Sequence, residues 1–132
     1  MHKIMLMGAA LGVIACTSGT EHEIRTDRSA QLAQVLEGRE AGAPVSCVNL
    51  RDLRGNRSAG DAIVFDGPGG TLYVNRPSGG CPSLDFGRTL VVRSSTGRLC
   101  VGDIARVVDP VSRTEHGSCG LAEFTPYRRA GS

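Results

Sequence analysis

Ala62-Ile63-Val64-Phe65, then Asp66-Gly67-Pro68-Gly69-Gly70, then Thr71-Leu72-Tyr73-Val74 decide how this chain is read. Two short runs rich in β-branched and aromatic residues flank five residues of turn chemistry, which predicts a β-hairpin. The turn glycines supply the positive φ that a tight reversal requires.

The pattern repeats outward from this hairpin. Val45 to Leu50, Thr89 to Arg93, Leu99 to Val101, Asp103 to Val108 and Ser118 to Tyr127 are further strand-like runs. Ser94-Ser95-Thr96-Gly97 and Asp109-Pro110 punctuate them, Asn75 to Gly80 reads as a loop, and Arg51 to Arg57 reads as a polar connector. About six strands at roughly ten-residue spacing, with no βαβ rhythm, predict an all-β fold: a small antiparallel barrel or sandwich. All five aromatic residues lie between Phe65 and Tyr127, so the core is expected there.

Ahead of the strands the periodicity changes. Leu32, Val35 and Leu36 fall at i, i+3, i+4, so Asp27 to Glu37 predicts one short helix, with Asp27 as N-cap and Gly38 as terminator. Cys16 to Arg25 is polar and aperiodic, which suits a tether, and His22 within it is expected to be solvated.

The N-terminus has the parts of an export signal: a basic residue, Lys3, an uncharged run from Ile4 to Ile14, and Val13-Ile14-Ala15-Cys16. That last tetrapeptide resembles a lipobox, in which the cysteine becomes the acylated N-terminus. The apolar run is about 11 residues, short of the roughly 20 that span a bilayer. Cleavage at the small residue by an ordinary signal peptidase is the alternative. Cysteine number favours lipid, because the chain has five cysteines and assigning Cys16 to the anchor leaves an even four, Cys47, Cys81, Cys100 and Cys119. The expected organisation is a lipoprotein signal peptide over 1–15, a lipidated tether with the helix over 16–43, and a disulfide-bonded β-domain over 44–132. Thr17 in place of aspartate after the cysteine points to the outer membrane, facing the periplasm.

Four cysteines allow three pairings. Cys81–Cys100 is expected because the chain runs out along Thr89 to Arg93 and back. Cys47–Cys119 is expected to staple first and last strands across the seam of a closed sheet.

Pro44 to Val48, Gly70 to Pro77, Arg98 to Asp103 and Phe124 to Arg128 resemble a family of small uncharacterised proteobacterial envelope proteins, many with lipoprotein signals. The resemblance covers roughly Leu36 to Arg129. It implies one β-rich exported domain, and no activity or substrate.

Much chemistry is absent from the sequence. Lys3, the only lysine, leaves with the signal, which excludes a P-loop, a Schiff-base lysine and a Ser-Lys dyad from the mature chain. The remaining 15 − 1 = 14 cations oppose 13 acidic residues, so bulk charge does not point to nucleic acid. The cysteines lack zinc or thioredoxin spacing, and no cofactor is expected. Glu115-His116-Gly117-Ser118 holds triad residue types in one loop, where a solvated loop is the simpler reading, and Asp85, Asp103 and Glu123 carry no glycosidase signature. Arg51, Arg54 and Arg57 are the candidate anion contacts, since guanidinium binds phosphate and carboxylate bidentately. Gly67-Pro68-Gly69-Gly70 as a phosphate nest is weaker than the same residues as a turn. The expected role is a non-enzymatic binding or structural module, with an envelope protein or anionic glycan as partner. An inhibitor of a cell-wall lytic enzyme is the first alternative, and a small hydrolase around His116 the second.

Overall fold

The computed structural model describes residues 28–85 and 87–131, with Gly8 and Gly12 singly. The expected signal peptide apart from Gly8 and Gly12, and Cys16, His22, the expected N-cap Asp27 and Phe86, lie outside the described residues. Residues 28–35 form helix α1. Ten strands follow among the described residues: β1 (Arg39–Ala41), β2 (Cys47–Asn49), β3 (Gly55–Ala59), β4 (Ala62–Asp66), β5 (Leu72–Asn75), β6 (Thr89–Val91), β7 (Arg98–Cys100), β8 (Ile104–Val108), β9 (Glu115–Gly120) and β10 (Phe124–Arg129).

They build three antiparallel sheets with orders β1-β10-β5-β4-β3, β2-β7 and β6-β8-β9. No sheet closes on itself, so the barrel alternative gives way to a sandwich-like arrangement. The hairpin of the opening stretch is its centre. Phe65 pairs with Tyr73 and Val64 with Val74, and the 3₁₀ turn Pro68–Gly70 joins the strands.

Ala62 through Phe65 are all buried because the five-stranded sheet is covered on both faces. Alternation sends Val64, Leu72 and Val74 to one face with Ala59 and Ala62, where Leu32, Val35 and Leu36 of the α1 segment pack. Ile63 and Phe65 go to the other face. There Val48 and Leu99 of the two-stranded sheet, and Leu90, Ala105 and Val107 of the three-stranded one, complete the larger core. Phe65 and Phe124 meet in it with ring centroids 5.8 Å apart and tilted by 57°.

Several expectations change here. Arg51 to Arg57 is a connector only in its first half; Gly55–Ala59 is an edge strand, paired from Gly55↔Asp66 to Ala59↔Ala62. The last run splits into β9 and β10, which belong to different sheets. Strand β1, ahead of the expected domain start at Pro44, joins β10 with Arg39 opposite Arg129. The helix is docked on the sheet.

Both expected cysteine pairings are wrong: the disulfides are Cys47–Cys100 and Cys81–Cys119, with Cα–Cα separations of 4.0 Å and 5.7 Å. The chain leaving β6 crosses to another sheet, where β7 lies against β2 and sets Cys100 opposite Cys47. Cys119 on β9 meets Cys81 at the start of the 3₁₀ turn Pro82–Leu84. With no closed sheet there is no seam to staple.

Asn75 is fully buried yet satisfied. Its Nδ2 donates to the Ala122 carbonyl at 2.7 Å, and the Ala122 N–H donates to its Oδ1 at 2.9 Å. This pair fixes the crossing from β9 back into β10, as a buried amide must find partners to be tolerated.

Candidate functional site

Helix α1 ends at Val35, before it has covered the whole of its sheet face. Beyond it lies a cleft of about 490 Å³ over Leu72 and Asp66. Register explains what lines it. Gly55 and Leu72 both stand opposite Asp66, and Arg57 points to the same face from beside Val64. Gly55 has no side chain to close this end. Arg39 comes from β1 and Arg54 from the residue before β3, so three guanidinium-bearing residues surround one carboxylate.

Arg57 Nη1 donates to both Asp66 oxygens at 3.1 Å, and these side chains are 48% and 38% exposed. Such an exposed pair contributes little to stability. Arg39 Nη1 donates to the Gly70 carbonyl, tying β1 to the hairpin turn. The Arg54 backbone N–H donates to the Asp66 carbonyl at 2.9 Å, which anchors its Cα at the sheet edge. With three cations and one carboxylate, the rim carries a charge near +2.

Of the candidate anion contacts, the structure brings Arg54 and Arg57 to the cleft and leaves Arg51 exposed on the 3₁₀ turn Leu50–Asp52, outside it. Arg39 and Asp66 were missed. No local signal marks them, because Arg39 arrives through pairing with a strand some 90 residues later. In the Gly67–Gly70 turn, the Gly67 N–H donates to the Thr71 carbonyl and the Thr71 N–H to the Pro68 carbonyl. These donors serve the turn and not a ligand.

The other sequence candidates are dispersed. Glu115 pairs with Arg106 at 3.0 Å, and Ser118 stands opposite Arg106 in the register, so no relay forms through His116. Asp85 accepts from Ser58 Oγ at 2.8 Å, and Asp103 accepts the Cys100 N–H at 2.8 Å, a turn-forming role. Glu123 is exposed in the loop before β10. Among the described residues no group of three or more His, Cys, Asp or Glu is placed to hold a metal ion, and no helix is long and apolar enough to cross a membrane.

A second crevice, of about 250 Å³, opens on the other face of the sheet edge beneath Leu50 and Leu53, and Arg54 lines it as well. The tip between β8 and β9 is closed by hydrogen bonds to Asp109. Asp109 accepts the N–H groups of Val111 and Ser112 at 2.8 and 3.1 Å, and donates its own to the Thr114 carbonyl. These two backbone donors, Ser112 foremost, hold the Asp109 carboxyl below its ordinary pKa.

Compared with known proteins, the chain matches no family model, no curated protein and no solved structure.

Proposed function

We propose that this chain is a bacterial envelope lipoprotein, acylated at Cys16 and placed at the outer membrane facing the periplasm. Its β-domain is a non-enzymatic module that binds an anionic group on an envelope glycan or protein. The anchor is supported by the lipobox and by the disulfides: Cys47, Cys81, Cys100 and Cys119 pair among themselves and leave Cys16 over. The observation that carries the binding role is the gathering of Arg39, Arg54 and Arg57 at one cleft with Asp66 alone opposing them. Guanidinium groups suit phosphate and carboxylate because two parallel N–H donors meet two oxygens.

Titration of the full chain with inorganic phosphate and with polygalacturonate tests it. Replacing Arg39 and Arg57 together by alanine is expected to cut affinity at least tenfold, while Arg51→Ala leaves it unchanged. Equal losses in both variants would place the site elsewhere. In cells, labelled palmitate is expected on the wild type and not on Cys16→Ser.

An inhibitor or other protein-docking role is the second reading. It is favoured by Val111, 92% exposed at the tip between β8 and β9, where the Asp109 carboxylate accepts its N–H.

A further inference from the structure

We infer that the ligand is a single-chain anionic amphiphile, with its phosphate or carboxylate head at Arg54 and its chain in the crevice under Leu50 and Leu53. This rests on the anion-site reading and takes the bearer of the anionic group to be a single acyl chain in place of a glycan or protein. Arg54 is the residue common to the arginine cleft and the crevice, because it stands at the edge strand where one face of the sheet gives way to the other.

The crevice has an apolar floor and walls, with Arg54, Gly55 and Asn56 along the β3 side. Phe65, Leu90 and Leu99 of the larger core form its floor, while Leu53 and Val92, only half-buried, form its walls. Its other polar side chain is already engaged: Asn56 Oδ1 accepts the Leu90 N–H at 3.2 Å. An apolar occupant against the floor and walls removes half-exposed leucine and valine surface from water.

At the mouth, no side-chain partner holds the Arg54 guanidinium among the described residues, and Arg39 and Arg57 reinforce its charge. This complementarity calls for an anionic head. Size limits the tail. At about 250 Å³ the crevice is smaller than the 300–1,000 Å³ usual for drug-sized ligands, so it takes one short chain and not a diacyl lipid.

The test compares decyl phosphate, inorganic phosphate and decanol on the full chain with its disulfides formed, using calorimetry below the micelle concentration. Decyl phosphate is expected to bind at least tenfold tighter than either of the others. Leu53→Gln is expected to bring decyl phosphate down to the level of inorganic phosphate while inorganic phosphate binding persists, which also reports that the variant is folded. Arg54→Ala, whose backbone hydrogen bond remains, is expected to weaken decyl phosphate at least tenfold. An undiminished affinity there would mean adsorption elsewhere, such as on residues 4–14, and would overturn the inference. On the unmodified chain, a spin-labelled amphiphile is expected to broaden the methyl signals of Leu50 and Leu53. Equal binding of decyl and inorganic phosphate overturns the amphiphile and leaves the anion site standing. Failure of both to bind overturns the two together, and decanol binding as tightly as decyl phosphate removes the head from Arg54.

Discussion

Gly67 and Gly69 sit two residues apart in one turn, yet they are glycine for different reasons. Gly67 has an ordinary φ of −102°, but a Cβ there would lie 2.6 Å from Tyr73 Cε2. Gly69 has open space around it and a φ of +63°. Gly67→Ala must displace a ring packed at the core edge, an overpacking cost of about 2 kcal/mol. Gly69→Ala meets only the left-handed backbone penalty, about 1 kcal/mol. Thermal melting is expected to rank them in that order, and the reverse ranking would show that the Tyr73 ring yields freely. At the β8–β9 tip, Asp109 carries the opposite kind of constraint. The N–H groups of Ser112 and Val111 hold its carboxyl below the ordinary value of 3.8, so the charged form is favoured by the folded turn. The contribution is therefore present above the unfolded pKa and is lost as pH falls through the lower folded value. The amide signals of Val111 and Ser112 should shift on acidification with a midpoint below 3.8, and Asp109→Ala should abolish that transition. A midpoint at or above 3.8 would rule out the two hydrogen bonds as its cause.

Elements in this protein are short, and covalent links supply what strand length does not. The disulfides close loops of 53 and 38 residues, each corresponding to about 4 kcal/mol in the chain-entropy model. Burial separates them. Cys81 and Cys119 are each 6% exposed within the larger core, whereas Cys47 and Cys100 are half-buried on the two-stranded sheet. Changing Cys81 and Cys119 together to alanine is expected to destabilise more than the same change at Cys47 and Cys100, because packing is lost along with the crosslink. Denaturant unfolding of both variants checks this, and equal midpoints would reduce the bridges to their entropic effect. Peptide mapping without reduction is expected to recover the 47–100 and 81–119 pairs. Strand existence was legible where the run was apolar, as in β4, β5 and β8. It was not legible in β3, whose Gly-Asn-Arg-Ser-Ala has low β-propensity and gains its order from β4 beside it. In the run from Ser118 to Tyr127 a strand was legible, but its division into β9 and β10 was not, because the two halves pair in different sheets.

At the scale of the whole molecule, one sheet divides two cores of unequal strength. The larger lies between three sheets and holds Cys81–Cys119; the smaller is closed by helix α1, which contributes only half-buried side chains among the described residues. A helix of about two turns is marginal without its packing. Local opening is therefore expected to begin on the helix side. Hydrogen exchange should show residues 28–35 exchanging well before β4 and β5. Uniform protection across both would mean that the layers open as one cooperative unit. The arginine cleft sits on the weaker side, at the end of the helix, where side chains can adjust to a ligand without disturbing the larger core.

The all-β class, the central hairpin, the short helix and its apolar face were all written in local patterns. Alternation, turn chemistry and helical spacing act over a few residues, so a single sequence suffices to read them. Disulfide pairing, the number of sheets and the composition of the cleft came only from tertiary structure. Each depends on which strands become neighbours: β2 with β7, β1 with β10, β3 with β4. Arg39, Arg54, Arg57 and Asp66 share a site because those pairings bring the opposite edge strands β1 and β3 to the same end of the sheet, around the turn between β4 and β5. Long-range register has no local imprint in residues such as these, whose side chains are as well suited to solvent as to a site.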